Sequence, residues 1–428
     1  MRLLLVSLFF LVMVALGGLH SGIPDDVGAR AALVFGFLML SGFVIGELAA
    51  KLQIPRITGY LLAGMACGPS LLALVDWKVI EHLRLVDDLA LALIAFTAGA
   101  ELKTSRLRAR ARGIASITLV QTTMVFVTVG LALWLLRPLL TFCNGLADAQ
   151  VLSVIAVLAL IATATSPSTA VAVIIEARSK GDITDTVLGT TVLKDIVVLV
   201  GFSLVMSLAL PHFCEPGAVP VSSVGKVLLE VLLSLGMGAV LGGLMILYLR
   251  FVGRRRMLFV VACAFLSIHL SRSFHLDHLL VAVAVGFCVS NFSRQGESFL
   301  QGLESAAGPV FLIFFCLAGA GLNLSVFFSV WHIALIFIIL RLLFTYAGTA
   351  AGAALAKDPP AVRRLAWTGF IGQAGVSLGL ATLARKFMGI PGACIADLVV
   401  GAIVINQLFG PVAFRWALLK SGEGKKES

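Results

Sequence analysis

Charge is what this chain has least of. Only 13% of its 428 residues are Asp, Glu, Lys or Arg, while 60% are hydrophobic and mean hydropathy is +1.06. A soluble domain carries about 25% charged residues, so a sizeable soluble domain is excluded. The period-two alternation of a membrane barrel is also missing. The apolar runs are ~20 residues long, which is helix length. Cysteine and histidine are scarce, with 7 of each, and none is spaced as zinc ligands or placed as a Ser-His-Asp arrangement. Cys67, Cys263, Cys288 and Cys316 fall in apolar runs and Cys394 at the edge of one. Cys143 and Cys214 fall in loops, where only the compartment would permit a disulfide. The 42 glycines lie inside apolar runs rather than after strands, which argues against a phosphate-cradling loop. Neither an enzyme nor a cofactor-binding protein is indicated.

What is present is a series of spans. Leu3–Leu19 is an uncharged apolar run behind Arg2; no A-x-A cleavage site follows it, which favours a span over a cleaved signal. Residues 1–30 are thus an N-terminal apolar segment and linker. Thirteen further spans are predicted at 31–50, 57–75, 86–102, 113–136, 150–175, 187–210, 227–249, 257–271, 278–290, 306–325, 332–355, 365–384 and 393–414. The fold class is therefore all-α, a polytopic membrane protein of about thirteen transmembrane helices. Residues 419–428 form a short charged tail.

The basic residues test that count. Of the 32 Lys and Arg, 21 fall on one side: the loops around 51–56, 103–112, 178–180, 250–256, 294 and 357–364, and the tail from Arg415. Only 8 fall on the other: Arg30, Lys78, Arg84, Arg137, Lys226, Arg272, Arg385 and Lys386. The positive-inside rule puts the first group, and the C-terminus, in the cytoplasm. Net charge of +10 therefore reflects orientation in a bilayer and does not call for nucleic acid. The expected location is the plasma (bacterial inner) membrane.

Besides Arg2, this leaves Lys194 and Arg341, both mid-span, and among the acids only Asp195 is central. A central ionisable residue costs roughly 2.5–3.5 kcal/mol on insertion scales and marks a functional site by default. One span earlier, Pro167 interrupts an apolar run and is surrounded by the hydroxyls of Thr165, Ser166, Ser168 and Thr169. Proline disfavours helix at the preceding residue and frees carbonyls, a break tolerated only in a protein-lined or wet cavity. A broken helix beside a buried carboxylate suggests a site for a small cation or a proton. A second weak stretch follows Gly308-Pro309, at Ala318-Gly319-Ala320-Gly321-Leu322-Asn323. Read as a second broken helix, it makes an inverted repeat with a five-span offset. Read otherwise, it is a Gly-rich packing seam.

Several stretches together resemble a known family. They are Leu52-Gln53-Ile54-Pro55-Arg56-Ile57-Thr58-Gly59-Tyr60 running on to Gly68-Pro69-Ser70, Phe96-Thr97-Ala98-Gly99-Ala100-Glu101-Leu102, Ser166-Pro167-Ser168-Thr169, Lys194-Asp195, Phe314-Phe315, Arg341, and Gly372-Gln373-Ala374-Gly375. The combination, over roughly 31–418, is similar to monovalent cation:proton antiporters of the second family. The resemblance implies a homodimer with a scaffold half, a mobile core of six spans, two broken helices crossing at the ion site, and elevator-like alternating access. The chain departs from the family at Lys194, where Asp, Asn or Gln is usual, and at Gly375-Val376-Ser377, where many relatives have Gly-Glu. It also has no lysine in 306–325, where electrogenic members carry one.

The expected chemistry is exchange of Na+ or K+ for protons, with the bilayer and a second copy as partners and no resident metal. Asp195 would hold a cation or its competitor charge, never both. Oxygen ligands for a hard cation would come from Thr165, Ser166, Ser168, Thr169, the carbonyls freed by Pro167, and Asn323. Arg341 would compensate helix-end charge. Gln373 adds a late polar group, and Lys194 would act as a built-in competitor for the carboxylate. Two alternatives stay open: a non-transporting sensor or scaffold with the same fold, and an anion transporter, since two central cations outnumber one carboxylate.

Overall fold

The computed structural model describes residues 27–213, 224–252 and 256–425. The run Leu3–Leu19, together with Cys214, Arg254, Arg255 and Lys426, lies outside the described residues. Among the described residues there is no strand. The helices in order are α1 (Val27–Lys51), α2 (Arg56–Cys67), α3 (Trp77–His82), α4 (Arg84–Glu101), α5 (Thr104–Leu135), α6 (Asp148–Thr163), α7 (Pro167–Glu176), α8 (Asp182–Ala209), α9 (Val224–Phe251), α10 (Arg256–Ser273), α11 (His278–Phe292), α12 (Gly296–Ala320), α13 (Leu324–Leu355), α14 (Pro360–Leu365) and α15 (Gly375–Ser421). The thirteen expected spans fall on these helices, with 150–175 covering both α6 and α7, 57–75 running past α2 into the loop after it, and 365–384 beginning ahead of α15. The last helix serves two spans, because it turns at Gly389, whose φ of 62° lies in the left-handed region.

Ion pairs sort the helix ends into two groups. At one end Arg56 meets Glu47 at 3.0 Å, Arg110 meets Asp182 and Asp358, and Arg415 meets Glu176 at 3.3 Å. There the Glu423 carboxylate also accepts the backbone N–H groups of Ile183 and Thr184, at 2.8 and 2.9 Å, and caps the first turn of α8. At the other end Arg137 meets Asp148, Arg385 meets Asp397, and Arg272 meets Asp88. The loops grouped by charge are therefore gathered in space, the first at what we call the basic end.

Close backbone crossings show how the two halves correspond. A Cβ on Gly64 of α2 would lie 2.0 Å from the Cys316 carbonyl oxygen of α12, and one on Gly319 would lie 2.2 Å from that of Leu61. The same relation joins α4 to α11: a Cβ on Gly99 would lie 2.0 Å from the Val283 oxygen, and one on Gly286 would lie 2.0 Å from that of Phe96. Only glycine permits such approaches. Spans two and ten thus cross as spans nine and three do, and Ala98-Gly99-Ala100 has its counterpart in Ala318-Gly319-Ala320. The long helices α5 and α13, 32 residues each, cross at Gly348 and Gly352.

The inverted repeat therefore has an offset of seven spans rather than five. An odd offset still reverses orientation. The stretch 318–323 is not a second broken helix. Gly319 is the packing seam, and 321–323 is the turn between α12 and α13. A bend of 50° does occur earlier in α12, between Gly296–Leu303 and Gly308–Ala320, beside Pro309, which removes a hydrogen bond from the helix. The true counterpart of the break at Pro167 is the non-helical segment Ile371–Ala374, between the 3-10 turn Ala366–Phe370 and α15.

Candidate functional site

Two interrupted spans meet at the centre of the fold. The first is α6, an extended stretch through Ala164 and Ser166, then α7. Pro167 opens α7 at a position where its missing N–H costs nothing, and Ser166 caps it, its Oγ accepting from Thr169 N at 3.3 Å. The second is the turn ending at Phe370, the segment 371–374, then α15. The two breaks are bonded directly, Ser166 N donating to the Gly372 carbonyl at 2.9 Å.

Arg341 of α13 closes the arrangement. It is fully buried, and its guanidinium donates from Nε to Ala162 O at 2.9 Å, from Nη1 to Ile371 O at 2.9 Å, and from Nη2 to Ala164 O and Phe370 O, both at 3.0 Å. These carbonyls are the orphaned acceptors at the C-terminal ends of both half-helices. One cation thus answers the negative partial charge of two helix ends. Gln373 takes a further orphan, donating to Ile161 O at 3.1 Å while accepting from Asn406 Nδ2 at 2.8 Å.

The N-terminal ends of the second halves face a cavity. Its wall includes Thr165, Ser166, Pro167 and Ser168 from the first break, Gly375 and Val376 from α15, and Asp195 from α8. It offers water about 40 Å³, room for on the order of three molecules. Asp195 is buried, and its Oδ1 makes no hydrogen bond within the chain; neither does the buried Thr165 Oγ1. A second cavity of about 1000 Å³ opens at the basic end, walled by Arg56, Glu176, Arg178, Lys180 and Glu423 among others, and Asp195 is not in its wall.

The same elements define the relatives. Residues 35–420 match the family described as "Sodium/hydrogen exchanger, transmembrane". The chain belongs to that family. Its fold is that of two structures of the sodium proton antiporter MjNhaP1 from Methanocaldococcus jannaschii. One, at pH 8, is 14% identical with a TM-score of 0.65 over 91% of this chain and 98% of that one. The other, from electron microscopy, is 17% identical with a TM-score of 0.69 over 92% and 98%.

Within this exchanger fold the expected site residues divide. Asp195, Thr165, Ser166, Pro167 and Ser168 share the cavity. Thr169 turns away, its Oγ1 bonded to Ser166 Oγ at 2.9 Å and to Gln407 Oε1 at 3.0 Å. Asn323 lies elsewhere, capping α13 through Val326 N at 3.3 Å in the turn that Ser70 also holds. Lys194 points to α5, where its ammonium donates to Gln121 Oε1 at 2.7 Å and lies 5.6 Å from the Phe370 ring. It makes no ion pair with Asp195, whose position on the helix points ~100° away.

Central charge alone does not reveal the neutral partners Gln121, Asn406 and Gln407. Their signal in the sequence is an amide inside an apolar run, which rarely tolerates one without a partner. Nor does it reveal Asp277, which is in the cavity wall and one residue ahead of the span expected to begin at His278.

Proposed function

We propose that the protein exchanges a monovalent cation, Na+ or K+, for protons across a membrane by alternating access, with Asp195 binding one or the other in turn. The observation that supports this most directly is the buried Asp195 Oδ1, without a hydrogen-bond partner, beside the equally unpartnered Thr165 Oγ1 at a helix break. A carboxylate in that setting needs a positive partner, and a proton and an alkali cation are mutually exclusive answers. That exclusivity couples the two fluxes. Ser166 and Ser168, in the same wall and bonded to each other at 3.0 Å, add hydroxyl oxygens to a mostly apolar surface. The anion-transporter alternative loses its footing, because Arg341 is fully engaged by four carbonyls and Lys194 by Gln121, neither in the cavity wall.

Residues 31–418 act as the exchanger unit in this reading, as a homodimer in the plasma membrane with the basic end and the C-terminus in the cytoplasm, an orientation that the surplus of Lys and Arg supports. Purified protein in liposomes with an imposed pH gradient should dissipate it on addition of sodium or potassium, and Asp195→Asn should not. Exchange that survives Asp195→Asn would remove the carboxylate from the mechanism. A wild-type protein silent toward both cations would favour a sensor or scaffold.

A further inference from the structure

The cavity beside Asp195 contains a second carboxylate. Asp277 precedes α11 at the end opposite the basic loops. One of its oxygens is structural, since Oδ1 accepts the Leu280 backbone N–H at 2.9 Å and caps the helix. Its own N–H donates to Ser234 Oγ at 3.1 Å, tying it to α9. The nearby cation Arg272 is paired with Asp88. A cap needs only an acceptor oxygen, and Asn or Ser serves as well as Asp. The capping bond therefore does not require the negative charge of Asp277, which the helix N-terminus favours without needing it.

The two carboxylates also belong to differently packed parts of the molecule. α8 packs through Val198, Phe202 and Met206 with the core of α5, α6, α13 and α15. α11 packs through Val281, Val285 and Val289 with α4, α9 and α10. The cavity lies between them, with Ile94 and Ala98 of α4 and Leu279 of α11 as apolar walls. Two like charges in an apolar cleft focus the field and concentrate counter-ions. The Asp195 oxygen, buried and without a partner, marks where such a counter-ion ends.

We infer that Asp277 recruits the transported cation into the cavity from the end opposite the basic loops and delivers it to Asp195. Because it is built into the α11 side, it serves arrivals from that end only. This rests on the exchange reading above.

Asp277→Asn is the deciding variant, since it removes the charge and keeps the cap; Asp277→Ser is a second of the same kind. The apparent KM for sodium would be measured from each side of oriented proteoliposomes. From the end opposite the basic loops both variants should raise KM about tenfold at low ionic strength, and the difference should shrink as salt is raised. From the basic end KM should not move. Wild-type KM in both variants would reduce Asp277 to a cap and overturn the inference, and an equal rise from both sides would overturn its sidedness. If Asp195→Asn still exchanges, the exchange reading falls first; if Asp195→Asn is silent while both Asp277 variants match wild type, only the recruiting role of Asp277 falls.

Discussion

Arg341→Lys keeps the charge and removes the fork. In the wild type four donor–acceptor contacts of 2.9–3.0 Å tie one guanidinium to Ala162, Ala164, Phe370 and Ile371. A hydrogen bond from a charged donor contributes roughly 1.5–3 kcal/mol. Lysine presents its donors from a single nitrogen, so at best it takes the place of Nη2 between Ala164 and Phe370 and leaves the Nε and Nη1 bonds to Ala162 and Ile371 unmade. Losing two of the four bonds costs about 3–6 kcal/mol, before any penalty for carbonyls left buried and unpaired. That is a large part of the ~5–15 kcal/mol that holds a domain together. At about 2 °C per kcal/mol, the melting temperature in detergent should fall by roughly 6–12 °C. Asp195→Asn is the control of opposite sign. It replaces an unpaired buried carboxylate with a neutral amide and should leave the melting temperature unchanged or higher. An Arg341→Lys protein that melts within about 2 °C of wild type would refute the claim that this side chain holds both breaks.

Pro167→Ala should weaken sodium affinity only modestly, because Arg341 and the Ser166–Gly372 bond hold the break as well; loss of all binding would mean that proline alone sets its shape. Lys194→Gln should leave the pH profile of exchange superimposable on wild type, since the ammonium is bonded to Gln121 and not to Asp195; a shift of the optimum toward acid is what a displaceable lysine requires. Single cysteines at Arg108 and Asn144 in a cysteine-free background should label from opposite sides of the membrane, Asn144 from outside, and labelling of both from outside would overturn the topology.

Span number, the two charge-sorted ends and the break at Pro167 were legible in the sequence because each follows from a local rule. Apolar runs of bilayer length, Lys and Arg in short loops, and a proline among hydroxyls need no knowledge of tertiary neighbours. The second break was not legible. Ile371-Gly372-Gln373-Ala374 contains no proline, and its non-helical backbone is held by distant partners, Arg341 and Ser166. Glycines at 319 and 321 gave a stronger local signal, yet Gly319 is there so that α2 can pass close by. A glycine inside a span reports either a weakness or a close neighbour, and only the fold distinguishes them. The orientation of Lys194 was hidden for a similar reason. Its acceptor, Gln121, is 73 positions away and carries no charge.

The placement of charge at the crossing explains how a lone carboxylate can occupy the middle of this fold. Both C-terminal half-ends, with their negative partial charge, are gathered on Arg341. Both N-terminal half-ends, at Ser166–Ser168 and Gly375–Val376, line the cavity with Asp195. Each carries roughly half a positive charge in its first turn. Asp195 therefore has a fixed, diffuse positive environment instead of an ion pair, and no arginine or lysine must be displaced before a ligand binds. In the proposed exchange the same two half-charges would oppose an incoming cation and keep its binding weak. A transporter needs such weakness, because a site that bound sodium or potassium tightly would not release it on the other side. On the proposed function the carboxylate would supply attraction, the two helix ends would subtract from it, and Thr165 Oγ1, without a partner in the chain, would offer a neutral oxygen beside the mutually bonded Ser166 and Ser168 hydroxyls. In that proposal lysine is tolerated at 194 because the backbone of two broken helices, rather than the residue beside Asp195, sets the electrostatic balance of the site.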